Sequence, residues 1–247
     1  MSATRLYLSY LPRTVPVTMV IDLTKSFTNS TITATTFSHD ASQDVRRPML
    51  WYDQAAKKVY KYGGWPYNVT GETYSQNLYS MAVDGNGKMT GSGWTSTTAT
   101  GANGLTSSGR APGGAAFTYT NTTFFSLGGS SPDIWSPQSG FVLFNDTSTQ
   151  WTNKTSVGAT STGYWSNAAA AWASGFGSKG YLLFVGGTAT ESAPGVSSRD
   201  QLIDMSTVTL YDINSSTWYQ QPTTGDVPPA RNSFCYTSAT TTGTFEL

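Results

Sequence analysis

Apolar residues along the chain fall in short runs separated by clusters of Gly, Asn, Asp and Pro, and no stretch repeats them at helical spacing. Short aromatic and branched runs with such boundaries predict strands, and a whole chain of them predicts an all-β fold. Three of the runs stop at two glycines: Lys58 to Tyr62 at Gly63-Gly64, Phe124 to Leu127 at Gly128-Gly129, and Tyr181 to Val185 at Gly186-Gly187. The pairs begin 65 and 58 residues apart, so one unit recurs with loops of different length. The alanine-rich run Asn167 to Ala173 falls at the head of the third unit, which predicts a strand there.

Further markers accompany each glycine pair. An apolar strand ending in an acid, a tight turn and an aromatic follow: Val208 to Asp212 leads to Trp218, Phe141 to Asp146 leads to Trp151, and Leu78 to Asp84 leads to Trp94. Arg47 and Arg110 precede two of the pairs by 16 and 18 residues. Gly-Gly, Asp, Trp and Arg in this cyclic order resemble the kelch motif, whose unit is one four-stranded blade of a β-propeller. The resemblance implies strands a to d per blade, Gly63, Gly64, Gly128, Gly129, Gly186 and Gly187 closing b, and Trp94, Trp151 and Trp218 opening d and packing between blades.

The expected fold is therefore an all-β, kelch-type β-propeller, partial: three complete four-stranded blades at about 46–96, 110–156 and 164–220, with half blades at both ends of the span 17–247. Residues 1–16 carry no marker and are unassigned. Val17 to Asp22 matches a c strand, with Phe27 five residues on as Trp151 is from Asp146. A last a strand is expected from Arg231 to Tyr236. Both ends cut through blades, so the expected reading is a piece of a larger protein, with a closed ring of four blades as the alternative.

Composition narrows the function. The chain has 247 residues, 11% charged and 13% aromatic, with 14 basic against 14 acidic side chains, so nothing resembles a nucleic-acid footprint. No apolar run is long enough to span a membrane, and Pro12, Arg13 and Pro16 interrupt anything like a signal peptide. The single cysteine, Cys235, forms no internal disulfide. Asn29, Asn68, Asn121, Asn145, Asn153 and Asn214 stand in Asn-X-Ser/Thr, which suggests a glycosylated extracellular chain, although so Thr-rich a chain makes some sequons freely.

Catalytic chemistry finds little support. With one histidine, His39, on a polar linker, neither a Ser-His-Asp nor a Cys-His set can be assembled. Asp84 to Gly87 reads as a hairpin turn and not as a phosphate loop. Carboxylates among the loops, Asp133 or Glu72 with Glu191 or Asp200, could pair, but sequence spacing does not fix their distance. Ile21 to Phe27 and Pro229 to Cys235 resemble fungal surface kelch proteins, often labelled cell-wall-anchored, in which a secreted propeller is commonly followed by a membrane anchor. The fold also resembles the galactose-oxidase-like group, whose copper site needs two histidines, so no metal and no cofactor is expected. The resemblance implies a non-catalytic module that binds a protein or a carbohydrate through long b-to-c loops, with Trp65, Tyr67, Asp133 and Trp135 as contact residues. The alternatives are a fragment of a galactose-oxidase-like enzyme and an intracellular kelch scaffold.

Overall fold

A computed structural model describes residues 5–10, 17–28, 30–38, 45–66, 78–84, 88–90, 93–101, 112–130, 140–154, 165–190, 200–234, 236–241 and 244–246. Three four-stranded antiparallel sheets dominate it, each with its strands in sequence order. Blade one comprises Met49–Asp53, Lys58–Tyr62, Leu78–Ala82 and Thr95–Thr97. Blade two comprises Ala116–Tyr119, Thr123–Leu127, Phe141–Asn145 and Gln150–Lys154. Blade three comprises Ala169–Ala173, Tyr181–Val185, Thr207–Asp212 and Thr217–Pro222. No described residue is helical. The alanine run is the first strand of its blade, because five consecutive hydrogen-bonded partners hold it to Tyr181–Val185.

The blades stack face to face, and this explains why their strands read as continuous apolar runs. Successive side chains of a strand point to opposite faces, and here both faces are buried. Phe124 joins Met49, Trp51, Tyr60 and Tyr62 of blade one, whereas its neighbour Phe125 joins Trp165, Leu182 and Phe184 of blade three. Burying each such ring contributes about 1.5–3 kcal/mol. Each repeat tryptophan lies against the preceding sheet. Trp151 meets Tyr62 at 4.3 Å between ring centroids, Trp218 meets Phe141 at 4.9 Å, and Trp94 Nε1 donates to Thr18 Oγ1 at 2.9 Å. Trp94 and Trp151 are buried; Trp218 is half-buried.

Both ends differ from the expectation. Within the unassigned stretch, Arg5–Tyr10 pairs residue by residue with Val17–Asp22, which pairs with Ala34–Ser38. The first sheet thus has three strands where the half blade was expected to have two. Phe27 does not open its d strand, and it is 46% exposed. The reason is phase. The residue that closes the c-to-d turn in blade two is Asn145, opposite Gln150, as Asp212 is opposite Thr217 in blade three. Counted from that residue, Trp151 and Trp218 are each six positions on, and Phe27 is five from Asp22. At the other end, Arg231–Phe234 is irregular, and the ladder forms between Ala239–Thr241 and Thr244–Glu246.

Candidate binding face

The glycine pairs mark a corner built identically in the three blades. Ladder pairing of strands a and b stops at Met49 with Tyr62 and resumes at Arg46 with Trp65. In blade two it stops at Ala116 with Leu127 and resumes at Gly113 with Ser130; in blade three, at Ala169 with Val185 and at Ser166 with Thr188. The residues released from the ladder bond to the neighbouring blade. Gly64 N donates to Pro112 O at 3.0 Å, Gly129 N to Trp165 O at 2.7 Å and Gly187 N to Arg231 O at 2.8 Å. The first glycine of each pair is needed so that this carbonyl can approach: a Cβ on Gly63 would stand 2.2 Å from Pro112 O, and one on Gly128 1.9 Å from Trp165 O.

On the a side of the corner the chain turns through a left-handed residue. Arg47 (φ 53), Gly114 (φ 66), Asn167 (φ 55) and Ser233 (φ 51) occupy this position in successive units. They are linked in series: Gly114 N donates to Arg47 O at 3.4 Å, Asn167 N to Gly114 O at 2.7 Å and Ser233 N to Asn167 O at 3.0 Å. A cavity of about 250 Å³ opens among these four residues, Pro48 and Phe234. The arginine marker of the sequence therefore has no single place. Arg47 holds the left-handed position, Arg231 precedes it by two residues in its own unit, and Arg110 lies outside the described residues.

Arg47 gives this mouth its chemistry. Its guanidinium donates from Nη1 to Asn167 Oδ1 at 2.5 Å and stands 4.9 Å over the Trp65 ring. Trp65 is fixed in turn by Nε1 donating to Ser130 O at 3.1 Å, with its ring laid across Gly113, where a Cβ would come within 2.3 Å. An exposed cation and an aromatic face from blade one and an amide from blade three thus converge at one end of the strands, the end from which the b-to-c loops leave. Of the four contact residues expected from sequence, Trp65 is placed here; Tyr67, Asp133 and Trp135 lie outside the described residues, as do His39 and Cys235. Arg47, Asn167 and Ser233 were missed as site residues. Their shared signal, one residue of left-handed backbone before each a strand, is invisible without the corner geometry.

At the opposite end of the strands the structure assembles two carboxyls that sequence spacing did not pair. Asp53 closes the a strand of blade one with Oδ1 accepting from Ala56 N at 2.9 Å, and it is 3% exposed. Asp146 accepts a hydrogen bond from Tyr119 Oη and lies within hydrogen-bonding reach of Asp53. Burial, and then the Asp53 charge, push the Asp146 carboxyl above the usual range, against the pull of the Tyr119 hydrogen bond. Burial and the two carboxylates push the Tyr60 hydroxyl up to about 12, and burial with the Asp146 hydrogen bond raises Tyr119 as well. The cluster clasps blades one and two. Glu72, Asp133 and Glu191, among the carboxylates singled out from sequence, lie outside the described residues, and Asp200 sits on a short strand of blade three.

Among the sequon asparagines, Asn121 and Asn214 are exposed at turns, Asn153 is exposed on a d strand, and Asn145 closes its turn with Oδ1 accepting from Ser148 N at 2.8 Å. Asn29 and Asn68 lie outside the described residues. Among the described residues no group of three or more His, Cys, Asp or Glu side chains could hold a metal ion. No helix among them is long and apolar enough to cross a membrane.

No family model matches the chain, and no curated protein does. Among solved structures, that of YjhT, a kelch-type β-propeller, is similar in fold, with a TM-score of 0.60 at 12% identity. The match covers 94% of this chain and 65% of that one, so the chain spans about two thirds of the length of its structural neighbour. Over its described residues the chain is an all-β partial propeller, with three four-stranded blades flanked by smaller sheets.

Proposed function

We propose that the chain is a binding module of the kelch type that recognises a protein or a glycan through the face carrying its b-to-c loops, and that it performs no catalysis there. One observation carries the reading: Arg47, exposed and stacked on Trp65, shares its guanidinium with Asn167 at the mouth where successive blades meet. A guanidinium on an aromatic ring offers planar hydrogen bonding to a carboxylate or a sugar hydroxyl beside a stacking surface. The rigid corner beneath it keeps the entropy cost of binding low. The b-to-c loops that leave this end of the strands add specificity on this reading, with Tyr67, Asp133 and Trp135 as the loop residues the sequence resemblance implies.

An extracellular or cell-surface location in a membrane-anchored parent, of the kind found among the fungal proteins the sequence resembles, agrees with the exposed sequon asparagines Asn121 and Asn214. The test combines two measurements. Glycan and ectodomain arrays probed with the protein should give binding that Arg47→Gln and Trp65→Ala abolish and that Tyr219→Ala, 46% exposed on a d strand, leaves intact. Partner binding indifferent to both mouth variants would overturn the proposed face. Endoglycosidase treatment of native material should lower its mass, and an unchanged mass favours the intracellular scaffold.

A further inference from the structure

A second cavity, of about 310 Å³, lies away from the mouth, between the first sheet and the c-to-d turn of blade one. Its floor is apolar: Val20, Ile21 and Met89 are buried there beside the half-buried Phe37. Phe27 overhangs it, 46% exposed, on a segment that the first sheet's core does not absorb. That segment is held by its own hydrogen bonds, Thr31 N and Ile32 N donating to Thr28 O at 3.1 and 3.0 Å and Thr28 N to Thr31 Oγ1 at 2.7 Å. The wall is therefore held by the chain's own hydrogen bonds.

Charge distinguishes this cavity from an ordinary surface groove. Lys25 lines it from the bend after Val17–Asp22 and Lys88 from the connection between the c and d strands of blade one, and neither has an ion pair among the described residues. The one acid in the wall, Asp22, turns its Oδ1 onto Thr24, accepting from N at 3.0 Å and from Oγ1 at 2.6 Å. Two cations at the rim of an apolar floor select a ligand with one anionic end and one flat apolar body. Ammonium groups attract the anion and also favour the face of its ring, while Phe27 and Phe37 offer offset or edge contacts to it. The volume sits at the lower end of the range for small-ligand pockets, about 300–1,000 Å³, and so suits a single ring.

We propose that this rim cavity is a second binding site, independent of the mouth, for a small aromatic carboxylate, with Lys25 and Lys88 holding the carboxylate and Phe27 covering the ring. Because the attraction is between solvent-facing charges, affinity falls as salt rises from about 0.01 M to about 1 M and the Debye length shrinks from roughly 30 Å to about 3 Å.

Benzoate and its neutral isostere benzamide test the assignment on the full chain, by calorimetric titration and by chemical-shift changes in the Phe27 and Phe37 rings. Benzoate should bind at least tenfold more tightly than benzamide. The double variant Lys25→Gln with Lys88→Gln should lose that tenfold preference and keep benzamide affinity, which also shows that the cavity still folds. Phe27→Ala should weaken both ligands together. Equal affinity for the two ligands, unchanged benzoate binding by the double variant, or no saturable benzoate binding would overturn it.

Discussion

Gly128→Ala is the most direct test of the corner that joins the blades. Gly128 has φ +69, a conformation that costs an L-residue roughly 1–2 kcal/mol. Its new Cβ would stand 1.9 Å from Trp165 O, where anything under 3.0 Å forces a shift. The obstacle is backbone of the next blade and cannot rotate aside, so blades two and three must separate by about an ångström. That movement breaks the 2.7 Å bond from Gly129 N to Trp165 O. Leaving the buried amide unpaired costs about 1–3 kcal/mol. The sum is about 2–5 kcal/mol before any loss of packing around Trp165. Gly225→Ala isolates the backbone part, since Gly225 has φ +86 and nothing within 4 Å of its added Cβ. It should cost only about 1–2 kcal/mol. Denaturant midpoints for both variants measure the difference, and thermal melts should show Gly128→Ala lower than Gly225→Ala by roughly 2–12 °C at about 2–4 °C per kcal/mol for a chain of this size. If the two variants are equally stable, the carbonyl contact does not constrain the blades and the account of Gly-Gly is wrong.

Two further outcomes follow from packing and charge. Trp151→Ala should destabilise by about 3–5 kcal/mol, since Trp151 is 3% exposed between Tyr62 and Phe144, and equilibrium unfolding showing a loss under about 1 kcal/mol would contradict that burial. Asp146 has its folded-state pKa raised, by burial first and then by Asp53, so its contribution to stability is present below the ordinary carboxyl value of 3.8 and is lost as pH rises through the folded pKa. Asp146→Asn keeps an acceptor for Tyr119 and removes the charge; its stability relative to the parent should rise as pH goes from about 3 to neutrality, and a relative fall over that range would show that the ionised carboxyl is the stabilising form.

The fold was legible in the sequence to the extent that local chemistry repeats. Phe124-Phe125, read as a buried run, is buried on both faces because a blade has neighbours on each side. Gly-Gly was legible as a stop because paired glycines are otherwise wasteful in a strand. Phe27 misled because it lay in a plausible frame, and only strand register showed that the frame is counted from the residue that closes the turn, Asn145 in blade two and not Asp146.

What the sequence determined by itself is what one unit states about itself: strands, stops, turns closed by Asx side chains, and a tryptophan at the head of the last strand. What belongs between units was decided by tertiary structure alone. Arg47, Gly114, Asn167 and Ser233 have no common chemistry, yet they share one backbone conformation and one chain of hydrogen bonds, because the position is set by the approach of the next blade. The pairing of Arg47 with Asn167 spans 120 residues, and that of Asp146 with Tyr119 and Asp53 joins two blades. Such contacts depend on how far each blade is turned about the stack, a rotation that no short window of sequence encodes.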